Sequence, residues 1–364
     1  MFKIHALQAA FGDSLILEFG TAAKKHWVLI DGGPEGTYGG SLRKELKAIA
    51  DGGGAIERVI LSHVDGDHIV GLLELFAELR QQSAPIKVAE LWHNSFAKTI
   101  GDGTDVQARF QAMVASVAGA NTIMANSADE VNTIEDGNKL RLDALALTMP
   151  TNTGFQDGLV SLDTSPGVLT WGNLKVTIVG PTKANLDALK EEWIAWLDKH
   201  EDDAGGDPMV AAMADVSKPN LSSIQIYVKD DLGNTAIFTG DGRGDHLLQG
   251  LKQAKLLDAN GAIHVNVLKL PHHGSDRNVT KTFFKKVTAD HYIACANGKD
   301  GNPDLATLRW LVEAAIDQDR KITIHCTNKT KSTADLVDEF DPQDSGYKLK
   351  FRATNKRSMT LTLS

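Results

Sequence analysis

The sequence is poor in cysteine, with only Cys295 and Cys326 in 364 residues. They fall in separate strand-like runs, which excludes a disulfide scaffold and leads us to expect buried structural thiols in a reducing compartment. Long apolar runs are also missing, and nothing approaches the roughly 18 residues that would span a membrane. The opening residues, Met1-Phe2-Lys3-Ile4-His5, lack the charged region and apolar core of a secretory signal, so a cytoplasmic protein without membrane partners is expected. Positive charge is in deficit, with 38 Lys and Arg against 47 Asp and Glu and a formal net charge of −9. This argues against a broad basic surface tracking a polyanion and leaves room for a local cationic site. There is no internal repeat and no low-complexity tract. The 42% hydrophobic and 23% charged content is that of an ordinary globular chain able to bury a sizeable core.

What the sequence does contain is a concentration of metal-ligating side chains. Ser62-His63-Val64-Asp65-Gly66-Asp67-His68 follows the apolar run Val59-Ile60-Leu61 and precedes a leucine-rich helical pattern. Two histidines and two aspartates on one strand-to-helix turn converge on a point, and carboxylate oxygen with imidazole nitrogen is the donor set of divalent metal sites. An N-cap role for Asp67 would explain one aspartate and no histidine. The same placement recurs at other strand ends: Asp31 after 27–30, Asp241 after a hairpin spanning 223–238, and His272 with His273 after 265–270.

Asp31 is expected to orient a metal-binding histidine from outside the ligand set, and His93, which ends a strand beside Trp92, to be a further outer-shell donor. Ser275 reads equally as a turn or N-cap residue and as a donor to substrate oxygens. The bland structural role is expected of His5, His26, His200, His246, His264, His291 and His325.

Along the chain, strands at 4–19, broken at Gly12-Asp13-Ser14, and at 27–30 open the fold. A helix at 41–50, a strand at 56–61, a helix at 69–79 and a strand end at 90–93 follow. Between 94 and 170 the pattern weakens, with helical spacing at 106–117, an extended pattern at 140–147 and turn residues at 151–166. A strand at 174–179 precedes an amphipathic helix at 185–199 carrying Trp193 and Trp196, then an acidic loop at 201–207. The second half alternates strands (223–228, 235–238, 265–270, 291–295, 322–326, 348–352, 359–363) with helices (245–257, 280–287, 305–316). The expectation is one domain over 1–364 with an elaboration at about 94–207.

The order H-x-D-x-D-H, then G-D after a hairpin, then P-H-H-G-S resembles the metallo-β-lactamase superfamily. Within it the chain most resembles the hydrolase domain of competence-related DNA internalisation proteins, sharing Gly12-Asp13-Ser14, Leu29-Ile30-Asp31-Gly32-Gly33, the aspartate-bearing His63–His68 motif and His272-His273-Gly274-Ser275. The resemblance implies an α/β fold, a four-layer αββα sandwich with two divalent metals at one edge of its sheets. Carried over by position, His63 and Asp65 would hold one metal and Asp67 and His68 the other. Asp241 would bridge them, and one of His272 and His273 would complete the second site. A ligand just after the strand favours His272. Two departures stand out: Asp65 occupies a position that is histidine in most of the superfamily, and Asn220 stands where the third motif places a histidine. The internalisation proteins also show an asparagine there.

A site with Asp65, Asp67 and Asp241 is rich in carboxylate, which shifts preference from zinc towards manganese or magnesium, with the first metal position the weaker. The implied function is a phosphodiesterase- or nuclease-type hydrolase that cleaves a phosphoester, a nucleic acid or a nucleotide, by a metal-bound hydroxide, with Asp67 and Asp241 as catalytic residues. The alternatives are a small-molecule lactam, lactone or ester hydrolase, and a catalytically weakened binding or regulatory module.

Overall fold

The computed structural model describes residues 1–95, 99, 128–200 and 219–363. The helix expected at 106–117 and the acidic loop at 201–207 lie outside the described residues, as do the side chains of Trp193 and Trp196. The first half supplies strands β1 (Phe2–Leu7), β2 (Leu15–Gly20), β3 (Lys25–Ile30), β4 (Arg58–Ile60) and β5 (Leu91–Trp92), with helices α1 (Arg43–Asp51), α2 (Gly66–Arg80) and α3 (Ala128–Ala146). Then come β6 (Leu169–Trp171), β7 (Leu174–Gly180), α4 (Lys183–His200), β8 (Gln225–Asp230), β9 (Thr235–Phe238), α5 (Gly244–Gln253) and β10 (Ile263–Lys269). The chain ends with α6 (Lys281–Lys286), β11 (Val287–Ala294), α7 (Leu305–Asp317), β12 (Ile322–Cys326), α8 (Lys331–Glu339), β13 (Tyr347–Phe351) and β14 (Ser358–Leu363).

The strands form two sheets, one in the order β14-β1-β2-β3-β4-β5 and the other β13-β12-β11-β10-β9-β8-β7-β6. Alternation decides how they pack. Phe2, Ile4 and Ala6 of β1 and Leu15, Leu17 and Phe19 of β2 meet Val176, Ile178, Ile226, Val228, Phe238 and Val267 of the other sheet in one buried cluster between the two. The opposite faces are covered by helices. Leu29 and Val59 pack under Leu42 and Leu46 of the α1 region and Ile69, Leu72 and Phe76 of α2. Val265, Leu268 and Tyr292 pack under Leu247 of α5, Phe284 of α6, Leu308 and Leu311 of α7 and Leu336 of α8. Helix, sheet, sheet, helix is the αββα sandwich. Strands β9 to β13 run parallel, and within them β12 is buried at every residue, Thr323 and His325 included, whereas Lys348 and Lys350 of the outer strand β13 are exposed. Among the described residues, no helix is long and apolar enough to cross a membrane.

Two local expectations are corrected. Residues 140–146 of the stretch 140–147 lie in α3 and are not extended, and Leu147 is in the turn that follows. The leucines at 140, 142, 145 and 147 match a period of two in part, yet Leu140 and Ala144 are buried while Leu145 is 66% exposed, so packing against α2 selects the helical period. Helix α8 was not anticipated, although its start carries a reciprocal capping box between Thr330 and Thr333.

Candidate metal centre

Parallel strands and their helices leave polar turns at one edge of the sandwich, and the metal-ligating residues collect there. Asp31 follows β3, His63 and Asp65 follow β4, and Asp67 and His68 fall in the first turn of α2. Asp241 follows β9, and His272 and His273 follow β10. The backbone is bent to serve this convergence: Asp31, His272 and His273 all have positive φ, at 59°, 45° and 53°. Left-handed conformations cost non-glycine residues roughly 1–2 kcal/mol each, and such strain clusters at functional sites.

Asp241 sits at the middle. Its Oδ1 is 3.3 Å from His68 Nε2, and its Oδ2 is 3.3 Å from His273 Nε2, 3.5 Å from His272 Nε2 and 3.8 Å from His63 Nε2. Asp67 Oδ2 is 3.0 Å from His273 Nε2 and 3.8 Å from His68 Nε2, and Asp65 Oδ2 is 3.3 Å from His63 Nε2. One ligand atom each from Asp67, His68, Asp241 and His273 lies within 4.8 Å of the others. Where strand spacing favoured His272, it is His273 that joins this group, after two consecutive left-handed residues; His272 Nε2 faces the same Asp241 oxygen at 3.5 Å. Asp65 occupies the N-cap of α2 but makes no side-chain capping bond. Its carboxylate faces His63, so capping does not account for it.

The donor set fits divalent cations. His63 Nε2, His68 Nε2, His273 Nε2 and Asp241 Oδ1 are buried with no hydrogen-bond partner among the described residues, and each such atom costs on the order of 1–3 kcal/mol if left unsatisfied. Burial by itself lowers the affinity of His68 for a proton, but the carboxylates of Asp241, Asp67 and Asp31 outweigh it and hold the imidazole well above its usual value. Burial opposed by Asp241 and Asp13 does the same to His273. Burial would raise Asp67, yet the His68 and His273 rings bring it down to about 2. A centre that recruits positive charge so strongly, with carboxylates ionised and imidazole nitrogens converging, is suited to a metal that displaces the histidine protons.

Around the donors lies a support that fixes their orientation. Asp31 Oδ2 accepts from His68 Nδ1 at 2.9 Å and from Ser62 Oγ at 2.7 Å, while its Oδ1 accepts from Ser62 N–H at 2.7 Å. Asp31→Asn is expected to lower metal affinity about 10- to 100-fold, measured by calorimetric titration; unchanged affinity would remove Asp31 from this role.

Two contributors escaped the sequence reading. Lys269 is wholly buried: its Nζ pairs with Asp13 Oδ2, donates to the Gly240 carbonyl at 2.9 Å and stands 3.7 Å from Asp241 Oδ1. Asp13 Oδ1 is 3.3 Å from His273 Nδ1, whose other partner is the Cys295 carbonyl at 2.9 Å. Gly12-Asp13-Ser14 was visible as a shared motif, but nothing in the apolar run 265–270 marks Lys269 as an inward-facing cation.

Asn220 is buried, with Nδ2 3.4 Å from His272 Nδ1, and His272 Nδ1 is 2.9 Å from Asn278 Oδ1. Ser275 is buried next to the histidine pair, its N–H bonded to the His272 carbonyl at 2.8 Å and its Oγ accepting from Arg277 N–H at 3.4 Å. These are turn contacts. His93 is placed differently from the expected outer-shell donor: its Nε2 is 3.2 Å from the Gly137 carbonyl of α3, and burial lowers its pKa to about 4. Val64 packs between the metal turn and Gly137, where a Cβ would come within 2.9 Å of Val64 Cγ1. His93 thus ties α3 to the back of the turn.

A family model described as the metallo-beta-lactamase superfamily matches residues 10–296. No curated protein matches the chain. Among solved structures, a similar chain is LpdA from Mycobacterium tuberculosis, at 9% identity and a TM-score of 0.15, with the match covering 84% of this chain and 57% of that one. This chain thus spans little more than half of that relative, and a likeness so slight carries no argument.

Proposed function

The chain belongs to the metallo-beta-lactamase superfamily, and from that premise we propose that this metal-dependent hydrolase cleaves a phosphoester, with a phosphodiester of a nucleic acid or nucleotide as its substrate. The observation that carries the proposal is the carboxylate-rich centre: Asp241 between two groups of donors, with Asp65 and Asp67 on either side. His63, Asp65 and the shared Asp241 would hold one divalent ion, and Asp67, His68, His273 and Asp241 the other. Manganese is the preferred ion, because oxygen donors favour harder cations than thiolate or all-histidine sets do.

Bound there, the ions would supply Lewis acidity to the phosphoryl oxygens and lower the pKa of a coordinated water. The protein's own part is to hold charge and geometry. Asp241 and Asp67 stay ionised and offer carboxylate oxygens to a proton leaving the attacking water. Asp31 and the Asp13–Lys269 pair fix the rings of His68 and His273, so little reorganisation accompanies reaction. Asn220, beside His272, would stand at the first metal position, where an amide in place of the imidazole of the usual motif weakens metal binding. The resemblance to the DNA internalisation hydrolases supports the nucleic-acid form of the substrate, and the free, buried Cys295 and Cys326 support a reducing, cytoplasmic setting.

The test compares bis-p-nitrophenyl phosphate, nitrocefin and a lactone, each with Mn²⁺ and with Zn²⁺. Phosphodiester turnover, greatest with Mn²⁺, is expected; lactam or lactone turnover without it would overturn the proposal.

A further inference from the structure

The chain is acidic overall, yet between residues 345 and 357 it carries Lys348, Lys350, Arg352, Lys356 and Arg357 and no Asp or Glu. Part of this charge comes out at the metal edge. Strands β10 to β13 are parallel neighbours, so the residues that follow them emerge on one side. After β10 stand His272 and His273, after β11 Lys299, after β12 Lys329 and after β13 Arg352. The turn into β14 adds Lys356 and Arg357. Adjacent strands lie about 4.8 Å apart, so the line from β10 to β13 spans roughly 14 Å.

Contacts join this line to the metal centre. Lys299 Nζ lies 3.5 Å from the centroid of the half-buried Phe11 ring, and Phe11 precedes Gly12 and Asp13, whose N–H donates to the Asp67 carbonyl at 3.2 Å. Asn328 Nδ2 donates to the Ala10 carbonyl at 3.4 Å, and Arg352 Nη2 to Asn328 Oδ1 at 3.4 Å. Gln8 N–H donates to the Arg357 carbonyl at 2.7 Å. Lys299, Lys329 and Lys356 are exposed, and none of them forms an ion pair among the described residues; Arg357 is paired with Glu45 at 3.0 Å, and Asp300 stands beside Lys299.

Lys329 and Lys356 follow strands two and three places from β10, too far to serve the scissile phosphate, so they suit further phosphates of the same chain, with Lys299 one strand away at the near end. At the near end an unpaired base would stack on Phe11 as the flexible Lys299 side chain leaves the ring face it now covers for a phosphate, since stacking on aromatic side chains and backbone-tracking cations are the two elements of single-strand binding. We propose that a single-stranded polynucleotide binds along this strip, from Phe11 and Lys299 beside the metals to Lys329, Arg352 and Lys356. This rests on the phosphoester function proposed above and extends it from the site to a track.

The experiment measures binding of fluorescent oligonucleotides with hydrolysis-resistant phosphorothioate backbones, one DNA and one RNA, to metal-loaded protein by anisotropy across a salt series. The triple variant Lys299→Glu, Lys329→Glu, Lys356→Glu should bind at least one of them about tenfold or more weakly, with a salt slope shallower by roughly two to three. Its thermal midpoint should stay within a few degrees of wild type, because the three side chains are exposed and the cation–π contacts of Lys299 with Phe11 and Lys329 with Phe351 are worth only about 0.5–1 kcal/mol each at exposed sites. Equal binding by variant and wild type, no binding by wild type at low salt, or displacement by poly-glutamate as effective as by unlabelled oligonucleotide would each overturn the track. Wild-type turnover of bis-p-nitrophenyl phosphate reports separately on the proposed function. If that is absent while the variant still loses oligonucleotide binding, the reaction is wrongly assigned and the track stands.

Discussion

Asp241→Ala should lower phosphodiester turnover by about 10²- to 10³-fold, the order of loss expected when one preorganised electrostatic contact is removed from a reacting centre. Asp241 is 2% exposed, and its two oxygens face different rings, Oδ1 towards His68 and Oδ2 towards His63, His272 and His273. No other carboxylate in the centre approaches all four histidines, so none can replace it. Burial would raise its pKa, but the rings of His273, His68 and His272 hold it well below the usual carboxylate range, which keeps it an acceptor throughout the working pH range. The variant should also bind less metal, read by elemental analysis. Asp241→Asn separates charge from shape: if the bridging charge matters, the asparagine variant resembles alanine. Full metal content together with near-normal turnover in either variant would remove Asp241 from the centre.

The largest effect on stability should come from Lys269→Met. A buried ion pair contributes little relative to an apolar pair, but breaking one by removing a single partner leaves an uncompensated charge and costs about 3–5 kcal/mol. Lys269 is wholly buried, and the charge it leaves belongs to Asp13, itself 1% exposed. Burial raises Asp13, and Lys269 and then His273 outweigh that and keep its carboxyl below the ordinary range. Unfolding in urea should therefore show the methionine variant several kcal/mol less stable. The double variant Lys269→Met, Asp13→Asn should recover much of the loss, because no charge is left unpaired. A single variant within about 1 kcal/mol of wild type would show that water or another cation already compensates Asp13.

Much of the architecture was legible because it rests on patterns that tertiary packing does not override. The strand-like runs 27–30, 56–61 and 265–270 lead to Asp31, His63 and His272, and strands β3, β4 and β10 end one to three residues before them. The candidate site was legible for a related reason: metal-ligating side chains, histidine among them, recurred at several strand ends. What was hidden depended on direction. The choice between His272 and His273 turns on two consecutive left-handed residues, which a histidine pair does not announce. Lys269 looks outward in an apolar strand until the strand is placed beside Asp13. The extended pattern at 140–147 competed with a helical one, and the presence of α2 decided between them. His93 had the right strand-end position and the wrong ring direction, because α3 offers it the Gly137 carbonyl.

The central claim is that the convergence around Asp241 is a metal centre for phosphoester hydrolysis. The most direct measurement strips the protein with a chelator, returns Mn²⁺ in steps, and follows bound metal and bis-p-nitrophenyl phosphate hydrolysis in the same samples. Hydrolysis should start at background and rise with uptake, levelling off near about two ions per chain, as two-metal sites do. Stripped protein as active as loaded protein, or metal uptake with no hydrolysis, would contradict it.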